Sequence, residues 1–219
     1  MITPLKKTAL HDLINKPILF DANIFMVGIS ERTSDPNCSF ENMVQLYIKP
    51  LFESFTEIYI HEEVYKELDD DARNFVDGYK GKNVSIVTEG GLYGRDPKYT
   101  TIFNNIAKHE LVNYERGRSK DCGEVYSLAY AAYHNMNYFC SKEIMVDNVA
   151  RELVDLKDVD IVTFDIILLQ AYVYYAHQND NSNSKGLKSI YKKYCVDVIR
   201  RHGLPKTLGD YIKASQEYL

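Results

Sequence analysis

Short apolar runs recur along this chain, each bounded by proline or polar residues and each followed by a stretch with helical spacing. That alternation restricts the fold more than any other feature. Ile18-Leu19-Phe20 follows Pro17 and stops at Asp21; it is too short for a helix and reads as a buried strand. Glu57-Ile58-Tyr59-Ile60 runs straight into an acidic helix predicted from about Glu62 to Tyr79, with Val64, Leu68, Phe75 and Val76 on its apolar side. Val84–Val87, Tyr138–Cys140 and Asp160–Phe164 read as further strands. Helices are predicted over Phe40–Phe55 (kinked or split by Pro50), Pro97 to about Arg116, Asp121–Met136 with Asp121 as cap, Glu143–Val154 and Asp165–His177. Strands separated by helices build parallel βαβ units. The expected class is therefore α/β, a doubly wound, mainly parallel sheet flanked by helices, with a helical C-terminal extension.

A chain of 219 residues fits one such domain with an appendage. The polar stretch Gln178–Ser184 reads as a hinge, which divides the chain into a domain over 1–178 and a basic helical extension over 179–219. The longest apolar stretch, Ile166 to Ala176, is about half of what a membrane crossing needs, and it contains Gln170. The opening MITPLKKTAL has no apolar signal core, so the expected compartment is the cytoplasm and no membrane partner is expected. Cys38, Cys122, Cys140 and Cys195 lie far apart without a C-x-x-C pair, which argues against a zinc cage or a disulfide framework. His61-Glu62-Glu63 is not followed by the second histidine of H-E-x-x-H.

The net charge of −5 does not by itself mark a nucleic-acid binder, but its distribution is informative. Acid is dense from Glu62 to Asp71, and base is dense at Arg116, Arg118 and Lys120 and again from Lys185 to Lys206. An acidic centre with basic flanks suits an enzyme that holds cations and grips phosphates around them. Lys192, Lys193 and Arg118 are the candidate nucleic-acid clamp. Tyr172, Tyr174, Tyr175, Tyr191 and Tyr194 could stack single-stranded bases beside the basic tail, although such tyrosines more often pack helices together.

In a doubly wound sheet, functional groups collect at the carboxyl ends of the strands. Asp21 falls where the first strand ends, and Glu143 just past Tyr138–Cys140. Asp121 and Glu124 open a helix directed at the same crevice, and Glu63 and Glu67 share one face of the helix after the second strand. Carboxylates gathered in this way repel one another unless a cation intervenes. Mg²⁺ or Mn²⁺, which prefer oxygen ligands, supply that cation and a route to phosphodiester cleavage that needs no histidine, cysteine or serine triad.

Five stretches, in order, carry a resemblance: "ILFDANIF" (18–25), "IHEEVYKEL" (60–68), "DCGEVYSLAYAA" (121–132), "YFCSKE" (138–143) and "DIVTFDIILL" (160–169). Together they resemble the PIN-domain nucleases. The resemblance implies a Mg²⁺- or Mn²⁺-dependent nuclease with Asp21, Glu67, Glu124 and Glu143 as catalytic and metal-binding acids. It places Asn23 two residues after the first aspartate and Ser141 in the turn before Glu143. Glu63 and Asp121 are alternatives one helical turn from Glu67 and Glu124, and Asp147 is an alternative to Glu143, which stands where the family more usually has aspartate. The chain also carries an insertion around residues 78–120 that the compact toxin members lack.

The partners implied are nucleic acid, RNA before DNA, with a protein antitoxin and a homodimer as further candidates. A haloacid-dehalogenase-type phosphatase also begins with a strand ending in aspartate, but it needs D-x-D. Here Asn23 fills the second place, and an amide cannot act as a general acid. Gly90 to Gly94 does not fit a dinucleotide-binding loop. The non-enzymatic alternative is a PIN-like module with a degraded site that binds RNA or a protein.

Overall fold

The computed structural model describes residues 13–26, 39–115 and 120–194, with only the backbone described for Met26 and for residues 190–194. After a 3₁₀ turn at Leu13–Asn15 come β1 (Ile18–Phe20), α1 (Asn23–Met26), α2 (Phe40–Met43), a π-helical turn (Val44–Ile48) and α3 (Lys49–Ser54). Then follow β2 (Ile58–His61), α4 (Glu62–Glu67), α5 (Asp70–Asp77), β3 (Val84–Val87), α6 (Pro97–Ala107) and α7 (Cys122–His134). The chain continues through β4 (Tyr138–Cys140), α8 (Ile144–Glu152), β5 (Asp160–Val162), α9 (Phe164–His177) and α10 (Asn181–Tyr194). It divides into two compact units. The described parts of the first are 17–26, 57–115 and 120–162; those of the second are 13–16, 39–56 and 163–194.

The first unit contains a five-stranded sheet of order β3-β2-β1-β4-β5 in which every pairing is parallel. All three residues of β1 are buried, as a central strand covered on both faces requires. Strand order reverses at β1: β2 and β3 extend to one side, β4 and β5 to the other. The crevice of such a sheet opens at this reversal, beyond the carboxyl ends of β1 and β4. There the Asp21 N–H donates to the Cys140 carbonyl at 3.1 Å, which carries the pairing one step past β1. On one face of the sheet Leu19 and Phe139 join Ile102 and Ile106 of α6, Val125 and Leu128 of α7 and Val146 of α8 in a continuous core. Each such side chain contributes about 1.5–3 kcal/mol by leaving water.

The α/β class with a parallel sheet is as the sequence led us to expect, while several boundaries differ. The helix predicted over 62–79 is two helices. Leu68 and Asp69 are extended, and Asp69 Oδ1 accepts the Ala72 N–H at 2.8 Å, so an aspartate that can satisfy a free amide starts a new helix rather than continuing the old one. α6 ends at Ala107 rather than near residue 116. Asp121 opens α7 without a side-chain cap; its carboxylate instead accepts the Asn113 N–H at 2.8 Å and ties down the incoming segment. β5 stops at Val162, and Phe164 already belongs to α9. The hinge is also shorter than expected: Asp180 Oδ1 accepts the amides of Ser182 and Asn183, and α10 begins at Asn181.

In the second unit, Pro50 sits at the second position of α3, immediately after the π-helical turn. A proline ring has no N–H and collides with the carbonyl four residues back, and the wider turn makes room for it. α9 is buried on nearly every side, from Phe164 through Val173, which explains its apolar composition. The Tyr175 hydroxyl donates to the Pro50 carbonyl at 3.2 Å, and Tyr172 is also buried. These two tyrosines therefore pack helices. Among the described residues no helix is long and apolar enough to cross a membrane.

Candidate functional site

Asp21 leaves β1 at the strand reversal and is 2% exposed. Its Oδ1 accepts the Ala22 N–H at 2.7 Å; its Oδ2 accepts Asn23 Nδ2 at 2.6 Å and the Ser141 hydroxyl at 2.9 Å. Ser141 follows β4, and its oxygen accepts in turn from Asn23 Nδ2 at 3.3 Å and from the Glu143 N–H at 3.2 Å. Side chains from the ends of the two strands flanking the reversal are thus locked together. Three donors would hold an exposed carboxyl at low pKa, yet burial wins and pushes Asp21 up to about 7, with Glu67 and Glu143 adding to the rise.

Glu67 ends α4, and its Oε1 accepts the Gly123 N–H at 3.2 Å, which ties α4 to the first turn of α7. A larger residue there would crowd both neighbours. A Cβ at position 123 would stand 2.9 Å from Glu67 Oε1 and 3.0 Å from Val64 Cγ2. Burial pushes Glu67 up to about 7, with Glu124 as the next cause. Glu124, one residue after that glycine, is pushed up to about 8 by burial and then by Asp21, with Asp121 and Glu143 adding further. Its Oε2 is buried without a hydrogen-bond partner, as is Asn23 Oδ1. The charges acting most strongly on these three acids are other carboxylates.

The alternatives are otherwise engaged. Glu63 pairs with Lys66 at 2.6 Å, and Asp147 pairs with Arg151 at 2.6 Å. Asp121 holds the Asn113 amide, although its charge still reaches Glu124. Glu143 occupies the cap position of α8, is exposed and makes no side-chain cap bond. Arg118 lies outside the described residues, and so do the side chains of Lys192 and Lys193.

Asp21, Glu67, Glu124 and Glu143 therefore come from four chain segments; the charges of the first three act within that group, and Glu143 adds to the rise of Asp21 and Glu124. Among the described residues, no three His, Cys, Asp or Glu side chains are grouped so as to hold a metal ion. The hydrogen bonds from Ala22, Asn23 and Ser141 hold Asp21, and that from Gly123 holds Glu67. The donor chemistry nonetheless fits a hard divalent cation: every candidate ligand is an oxygen, and two buried oxygen acceptors, on Glu124 and Asn23, lack a partner.

Sequence reasoning missed His61. It is fully buried at the end of β2, its Nδ1 accepts the Glu63 N–H at 3.2 Å, and its ring stacks on Tyr126 with centroids 5.4 Å apart. Burial lowers it to about 4, so the ring is neutral near pH 7 and its Nε2 has no partner. Its position at a strand end, directly before an acidic helix, was the available signal. Comparison with family models, with curated proteins and with solved structures returns no match.

Proposed function

We propose that the chain is a PIN-type phosphodiesterase dependent on Mg²⁺ or Mn²⁺ that hydrolyses single-stranded RNA. One observation supports this reading above the rest: Asp21, Glu67 and Glu124, all raised well above ordinary carboxylates, act on one another at the strand reversal, with Glu143 beside them. Buried carboxylates that repel one another cost stability, and a divalent cation would offset that cost. Asp21, Glu124 and Glu143 would hold the cation, which supplies an activated water and neutralises charge on the phosphate oxygens. Asn23 and Ser141 fix the direction of the Asp21 carboxylate. Glu67 orients the attacking water, and hydrolysis leaves a 5′-phosphate and a 3′-hydroxyl. A protein antitoxin that covers the crevice is the partner this reading brings with it.

The test compares wild type with Asp21→Asn on end-labelled single-stranded RNA and DNA in Mn²⁺, Mg²⁺ or EDTA. Cleavage by wild type alone, abolished by EDTA, is the expected result. A product ending in a 2′,3′-cyclic phosphate would contradict hydrolysis by water. The second reading, a module with a degraded site that binds RNA or a protein, is favoured by the absence of a ready metal-holding group among the described residues. No cleavage, together with no thermal shift in Mn²⁺, would select it.

A further inference from the structure

The stretch that lengthens the chain around residues 78–120 builds a pocket of about 230 Å³ against α7. Its walls are aromatic and come from separate segments: Tyr93 before α6, Phe103 on α6, Tyr114 after it and Tyr126 on α7. Phe103 is buried at the centre, and its ring centroid lies 4.9 Å from that of Tyr93, 5.4 Å from Tyr114 and 4.8 Å from Tyr126, each arrangement edge to face. These contacts hold the three half-buried tyrosines in fixed orientations. Tyr93 is placed by a turn in which Gly94 has a φ of +79°, and the Gly94 N–H donates to Thr100 at 2.9 Å.

Two polar groups complete the lining. The Tyr93 hydroxyl donates to Asn104 Oδ1 at 3.2 Å, which orients the amide and leaves Nδ2 as a donor without a partner among the described residues. Lys108, exposed at the end of α6, makes no ion pair among the described residues. A packing defect in a core would be closed and aliphatic, whereas this pocket presents phenol rings, an amide and an ammonium group together. An ammonium group at the rim opposes a cationic guest. The volume lies below the roughly 300–1,000 Å³ of sites for drug-sized molecules and suits a single planar ring. Aromatic side chains stack unpaired bases, an amide reads a base edge, and a lysine meets the attached phosphate.

We propose that this pocket takes one unstacked nucleobase of a single-stranded substrate and so selects where the strand is cut. The selection of a cut site rests on the nuclease reading; the binding of a base does not. Tyr126 follows Glu124 by two residues on α7, so pocket and acids lie on different sides of the first turns of one helix about 10 Å across.

The full chain, kept in EDTA, is titrated calorimetrically with the four ribonucleoside 5′-monophosphates and with ribose 5-phosphate. The expected result is binding of at least one nucleotide and much weaker binding of ribose 5-phosphate. Tyr114→Ala should weaken the nucleotide by roughly 5- to 150-fold. Asn104→Ala should change the order of preference among bases. Lys108→Gln, at an exposed position, should weaken every nucleotide and flatten the salt dependence; it keeps the test decisive if the tyrosine variant melts early. Equal binding of ribose 5-phosphate, no nucleotide binding, or unchanged affinity in these variants overturns the pocket. Nucleotide binding without any cleavage in Mn²⁺ retains the base site and removes the nuclease; cleavage without nucleotide binding does the reverse.

Discussion

The Ser141 hydroxyl donates to the Asp21 carboxylate at 2.9 Å across the seam between β1 and β4, joining residues 120 positions apart in the chain. The bond is buried, and the same oxygen receives the Glu143 amide, so one hydroxyl holds both strand ends of the crevice. Ser141→Ala should cost about 1–3 kcal/mol, because the Asp21 carboxylate loses a donor while remaining buried. That bond lowers the Asp21 pKa, so on the proposed nuclease reading its removal should move the acid limb of the pH–rate profile to higher pH. A profile unchanged in position would mean that Asp21 does not set that limb.

Glu124 carries the clearest pH signature. Its folded value, about 8, lies above an ordinary glutamate, so the native state keeps a proton that the unfolded state has already lost. The resulting stability is fully present below about pH 4.5 and declines as pH rises towards 8. Asp21 and Glu67, both about 7, act in the same direction. Glu124→Gln should therefore melt several degrees above wild type at pH 8 in EDTA, at ~2–4 °C per kcal/mol for a chain of this size, with a smaller difference at pH 5. Calorimetric scans at the two pH values decide it. Equal differences would assign the gain to something other than charge.

Two helical glycines should respond to alanine with opposite sign. At Gly123 the new methyl meets Glu67 Oε1 at 2.9 Å and the buried Val64 at 3.0 Å, whereas at Gly186 the nearest atom is the Leu46 carbonyl oxygen at 3.9 Å. Gly123→Ala should destabilise by about 1–3 kcal/mol and displace Glu67, and on the proposed nuclease reading it should also reduce cleavage. Gly186→Ala should stabilise by about 0.5–1 kcal/mol through reduced chain entropy. Urea denaturation of both variants provides the comparison, and a neutral Gly123→Ala would mean that α4 and α7 can separate without cost.

His61 works against the acids as pH falls. Its folded value, about 4, lies below an ordinary histidine, so the unfolded state gains a proton first, and stability drops between about pH 6.5 and 4. His61→Phe keeps the stacking on Tyr126 but loses the acceptor for the Glu63 amide, which costs about 1 kcal/mol at pH 7. The variant should close that gap, or overtake wild type, at pH 4.5. A gap that stays constant in urea midpoints at the two pH values would contradict the burial of a neutral ring.

The local elements were legible because their causes are local. Pro17 and Asp21 bracket an apolar run too short for a helix, and Tyr138–Cys140 is bounded in the same way, so the strands that frame the crevice could be placed from the chain alone. The break at Leu68-Asp69 was missed because helical spacing continues through it; only the Asp69 cap reveals it. The choice between Glu63 and Glu67, one helical turn apart, is not written in spacing either. The two side chains differ only in their surroundings in space: Lys66 engages Glu63, and Gly123, a residue 56 positions away, meets Glu67.

By itself, then, the sequence determined an α/β fold with parallel strands and the strand-end position of Asp21, because apolar periodicity and turn chemistry act between near neighbours. Only the tertiary structure decided which acids act on one another, which are neutralised and where the tyrosines of the 78–120 stretch converge. Burial, charge interaction and ring packing depend on distance in space, and a linear pattern does not carry that distance.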